Sequence, residues 1–75
     1  VDEVVVKVSI HDNRRTIPYY IRCEGERDFM IGEIEKVEKM PFRITHIKLR
    51  NGSMMRKEGW KAYARKITRV YGTRV

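Results

Sequence analysis

The sequence predicts an α+β fold: a small, strongly bent antiparallel β-sheet or barrel of four to five strands, followed by a C-terminal amphipathic helix. Three observations carry this. Apolar residues alternate with others over residues 4–10 and again over 16–23, the period of a strand with one buried face. Asn51-Gly52 sits between two apolar stretches, a strong hairpin signal because both residue types tolerate positive φ. Trp60, Tyr63, Ala64, Ile67, Val70 and Tyr71 recur at spacings of three and four, the period of one helix face.

In the first predicted strand Val4, Val6, Val8 and Ile10 share a face, with Val5, Lys7 and Ser9 on the other. His11-Asp12-Asn13 reads as a turn, since Asp and Asn bond their own backbone. Ile17, Tyr19, Ile21 and Cys23 form the inward face of the second strand. Pro18 lacks an N–H, which places it at a strand start or sheet edge. Residues 28–40 fit either a helix capped by Asp28 or a strand, about 28–39, bulged at Gly32. A mid-helix glycine costs about 1 kcal/mol, so the strand is preferred.

Phe42 and Ile44, then Ile47 and Leu49, switch phase near Thr45-His46, as in the bulged, bent strands that close small barrels. The fourth strand is expected at about 42–50 and a fifth at 53–57. A two-residue hairpin would set Leu49 opposite Met54 and Lys48 opposite Met55. The helix, about 58–71, would end at Gly72. Trp60, Tyr63, Ile67 and Val70 would then close a core over Val4, Val6, Val8, Ile21, Ile34, Ile47 and Leu49, in one domain over residues 1–75.

The chain is basic, with a formal net charge of +7, and the charge is segregated. Residues 41–75 hold ten Lys/Arg against one acid, a net of +9. Residues 1–40 hold seven against nine, a net of −2. A one-sided basic surface selects a polyanion. The partner indicated is nucleic acid, DNA or RNA, and the alternative is an acidic protein partner.

The candidate phosphate-binding residues are Lys61, Arg65, Lys66 and Arg69 on the predicted helix, and Arg43, Lys48, Arg50, Arg56 and Lys57 in and after the hairpin. Lys57, Lys61, Arg65 and Arg69 repeat every four residues with no acid to relieve them, and such like-charge neighbours repel. Tyr20 and Arg22, outward on the second strand, are stacking candidates. Backbone contact is expected ahead of base readout.

No catalytic constellation accompanies the charge, and a non-catalytic role is expected. Cys23, on the apolar phase of its strand, reads as a buried, inert thiol. One cysteine forms no internal disulfide, which suits a reducing, cytoplasmic setting. With His11 and His46 single and far apart, no metal or cofactor is expected. Glu33, Glu35 and Glu38, interleaved with Lys36 and Lys39, read as a solvated face. No apolar run approaches the roughly 20 residues of a membrane span.

Thr16-Ile-Pro-Tyr-Tyr-Ile21, Gly32-Glu-Ile-Glu-Lys-Val37 and Ile47-Lys-Leu-Arg-Asn-Gly52 together resemble the core of YolD-like proteins, small phage-associated and bacterial β-barrels. The resemblance covers about half the chain. It implies an SH3/Sm-like barrel in a DNA-repair, phage or mobile-element setting, and it transfers no functional residue. The polar helical N-terminal segment usual in that family is missing.

Overall fold

The alternating segments do form strands, but they extend further through the chain than the sequence predicts. The structure is a computed structural model and describes residues 3–75. Its strands are β1 (Glu3–Asp12), β2 (Arg15–Glu24), β3 (Asp28–Met30), β4 (Ile34–Val37), β5 (Met40–Leu49), β6 (Met54–Met55), β7 (Lys61–Tyr63) and β8 (Ile67–Arg74). A single 3-10 turn, Ala64–Lys66, is the only helical element among the described residues. The fold is therefore nearly all-β, and the expected α+β class with a C-terminal helix over 58–71 is corrected. No helix of the described residues is long and apolar enough to cross a membrane.

The main sheet runs in the order β2-β1-β8-β5-β4, with β6 added beside β5. Neighbours are antiparallel except β1 and β8, which run parallel. The sheet curls into a half-barrel. A two-stranded ribbon of β3 and β7 completes the fold. Its ladder is extended by Ile31 N–H donating to the Trp60 carbonyl at 2.8 Å and Ala64 N–H donating to the Arg27 carbonyl at 2.7 Å, and Gly32 N–H donating to the Ile44 carbonyl at 2.8 Å ties it to β5.

The misread helix has a specific cause. Lys48 pairs with Arg69 but Leu49 with Ile67, so Thr68 is an extra residue bulged out of β8. That insertion turns the two-residue step of a strand into the three-residue step from Ile67 to Val70, both buried. The 3-10 turn adds a second three-residue step, from buried Ala64 to Ile67, because i and i+3 eclipse in that geometry. Two irregularities in a β-segment thus imitate helical spacing. Ile67, Thr68, Val70, Tyr71 and Thr73 are β-branched or aromatic, which favours strand.

A bulge also explains the phase switch in β5. Ile44 pairs with Gly72 and His46 with Tyr71, leaving Thr45 unpaired. Ile44 and Ile47 can then both face inward. Residues 28–40 form neither a helix nor one bulged strand. They form β3 and β4, separated at Gly32, whose φ is 96°. The Asn-Gly hairpin has a three-residue loop, with Leu49 N–H donating to the Ser53 carbonyl at 2.8 Å and Gly52 at φ 94°. Lys48 consequently faces Met54, not Met55, and Ile47 faces Met55.

The concave side holds the core: Val6, Val8, Ile10, Phe29, Ile31, Val37, Phe42, Ile44, Ile47, Ala64, Ile67 and Val70. Burying each large side chain contributes about 1.5–3 kcal/mol. Three expected core residues lie outside it. Trp60 is 52% exposed, Tyr63 50% and Ile34 51%. Without a helix to lay them on the sheet, Trp60, just before β7, and Tyr63, at its end, stay exposed. Val4, Ile21 and Leu49 pack against the core only partly buried, as does Cys23, which is half-buried and not sealed.

Candidate nucleic-acid interface

Strand register places one row of side chains across the outer, convex face of the main sheet. Residues directly opposite one another on neighbouring strands share a face. Tyr20 is registered with Lys7, Lys7 with Arg69, Arg69 with Lys48, and Lys48 with Met54. The row crosses β2, β1, β8, β5 and β6, with about 4.8 Å between strands. Three cations are therefore immediate neighbours on three adjacent strands, an arrangement that is destabilising unless something else uses it.

The neighbouring rows follow from the same registers. Two residues along β1 lie Pro18, Ser9, Tyr71 and His46, and beyond them Thr16, His11, Thr73, Arg43 and Ile34. In the other direction Arg22 stands opposite Val5. Lys7, Arg22, Arg43, Lys48 and Arg69 thus share one face. The four ion pairs among the described residues employ Arg27, Lys61, Arg65 and Arg74 and none of these five. The acids of this face, Glu3 and Glu24, are paired with each other in register at one corner.

The cations are held differently. Arg69 is half-buried, and its Nη1 donates to Ser9 Oγ at 2.6 Å. Arg43 Nη1 makes a long contact of 3.4 Å with the Gly32 carbonyl. Lys7 and Lys48 are exposed. Tyr20, at 65% exposure, is the most open large hydrophobic side chain among the described residues. His46 and Tyr71 meet edge to face at a centroid distance of 6.5 Å, beside the hydrogen bond from Thr45 Oγ1 to the Tyr71 carbonyl.

Of the residues nominated from sequence, Arg43, Lys48, Arg69, Tyr20 and Arg22 come together here. The others do not. Arg50, Arg65 and Lys66 line a separate cleft of about 220 Å³ with Leu49 and Asn51. There Arg65 is paired with Glu26, and its carbonyl accepts a hydrogen bond from Arg50 Nε at 2.8 Å. Lys61 pairs with Asp28 at 3.8 Å, and Lys57 Nζ lies 5.6 Å from the centre of the Trp60 ring. Arg56 is exposed on the connection after β6. The expected stripe of Lys57, Lys61, Arg65 and Arg69 is broken because no helix carries it. Lys7 escaped notice because it belongs to the acidic half of the chain; its alternation with Val6 and Val8 was the signal that it faces outward.

The donor set does not fit a structural zinc ion. Such a site takes four Cys or His ligands, with cysteine bound as the thiolate. The chain has one cysteine and two histidines. No group of three or more His, Cys, Asp or Glu able to hold a metal occurs among the described residues. Partial burial, opposed by Arg27, pushes the Cys23 thiol above its ordinary value, which disfavours the thiolate.

No curated protein and no solved structure matches the chain. The likeness of residues 16–52 to YolD-like proteins is overturned by a family match of far greater extent, over residues 1–73. Although the Cys-Pro-x-Cys-Gly motif occurs nowhere in its 75 residues, the chain belongs to the family of CPxCG-related zinc fingers.

Proposed function

We propose that this chain is a non-catalytic nucleic-acid-binding module whose contact surface is the outer face of the main sheet. Lys7, Arg69 and Lys48 form the centre of that surface, with Arg22 and Arg43 beside it. The observation that supports the reading is the registered row of three cations with no acid opposite. A solvated surface mixes signs, and this row forgoes the attraction that an acid at any of its positions would supply. Phosphate oxygens provide the missing countercharge, and contacts of this kind carry little sequence preference.

Titration of a labelled oligonucleotide at about 50 mM salt tests the proposal. Binding should weaken steeply with salt, by roughly 0.7–0.9 in log K per log salt for each phosphate engaged. The double change Lys7→Glu/Lys48→Glu should abolish binding, whereas Arg56→Glu, outside the registered row, should weaken it modestly. Failure of the wild-type protein to bind either single-stranded or duplex nucleic acid at micromolar concentration would refute the proposal. The same charge would then be assigned to an acidic protein partner.

A further inference from the structure

We infer that the ligand of this face is a single strand, with Tyr20 as the platform on which a base stacks. The inference rests on the nucleic-acid reading above and narrows it. The first argument is shape. The sheet curls around its core, so its outer face is convex. A duplex is also convex, and two convex bodies touch over few phosphates. The usual remedy is a helix laid in the major groove, but the described residues contain no helix longer than the turn Ala64–Lys66. A flexible single strand can instead follow a curved sheet.

The second argument is the order of side chains. The cation row Lys7, Arg69, Lys48 and the row containing Tyr71 and His46 lie two residues apart along the strands, about 6.6 Å. A backbone following the first row carries its bases over the second. A duplex offers no use for this arrangement, because its bases are already stacked on one another.

The third argument is Tyr20. It stands at the end of the cation row, beside Lys7 and next but one in sequence to Arg22, with its ring in solvent. An aromatic ring among cations is the recurring platform for unpaired bases, each stack contributing about 1–3 kcal/mol.

Fluorescence anisotropy with a labelled oligothymidylate of about ten nucleotides, its oligouridylate counterpart and a duplex of the same length tests the inference. The single strands should bind at least tenfold tighter than the duplex. Tyr20→Ala should lose about five- to a hundredfold in affinity for them, and Tyr20→Phe should stay near the wild type. Tyr20 is exposed, so both variants should show the wild-type circular dichroism spectrum. If the duplex binds as tightly, or Tyr20→Ala behaves as wild type while Lys48→Glu loses binding, the single-strand inference falls and the phosphate-binding reading stands. If none of the three probes binds the wild type, both fall.

Discussion

Arg69 Nη1 donates to Ser9 Oγ at 2.6 Å, joining β8 to its parallel neighbour β1 through side chains 60 positions apart in the sequence. Ser9, at 6% exposure, is the one buried polar residue among those described. The contact holds a guanidinium in place at the centre of the cation row. Ser9→Ala should lower stability by about 1.5–3 kcal/mol, the range for hydrogen bonds to charged groups. It should also weaken oligonucleotide binding several-fold without altering any charge. Urea unfolding and anisotropy on the same variant check both.

Lys48→Glu should separate stability from binding. It places a carboxylate directly opposite Arg69, converting a repulsion into an attraction of about 0.2–1 kcal/mol. The midpoint of urea unfolding should rise slightly while affinity for nucleic acid falls by at least tenfold. A row that served only solubility would show the first effect without the second.

Gly72 is required by packing. A Cβ at this position would lie 2.4 Å from Phe42 Cδ2 and 2.8 Å from the Arg43 carbonyl oxygen. Phe42 is fully buried, so its ring has little room to retreat. Gly72→Ala should cost about 1–3 kcal/mol, lowering Tm by roughly 5–20 °C in a chain of this size. Phe42→Leu should recover only part of that loss in the double variant, because the Arg43 carbonyl stays. A thermal melt of Gly72→Ala that matches wild type would contradict the packing.

The Cys23 thiol has its pKa raised by burial above its ordinary value of 9.0, with Arg27 pulling the other way. Because the folded value exceeds the unfolded one, the contribution to stability is complete below the unfolded value and is lost as pH rises through the folded one. Stability should therefore fall more steeply above about pH 9 in the wild type than in Cys23→Ala. Thiol labelling of the folded protein at pH 8 should be slower than for a free cysteine, since the thiolate reacts. Arg27→Gln should slow it further by removing the cation that favours the thiolate.

Much of the β-sheet was legible in the sequence. The alternation of Val4, Val6, Val8 and Ile10, and that of Ile17, Tyr19, Ile21 and Cys23, reports burial on one face of a strand and needs no partner to be read. The bend at Thr45-His46 was visible as a change of phase. Arg43, Lys48, Tyr20 and Arg22 could be read as outward-facing from the same alternation.

The last third of the chain was decided by tertiary structure. β8 lies between β1 and β5, distant in sequence, and its register with β5 makes Thr68 a bulge. Local spacing then reads as helical although the backbone hydrogen bonds run to other strands. The candidate surface depends on the same pairing. Lys7, Arg69 and Lys48 belong to three separate segments, and Lys7 to the half with net negative charge. Composition reveals that the chain is basic. Only the insertion of β8 between β1 and β5 aligns those three cations, because side chains become neighbours through strand register and not through sequence distance.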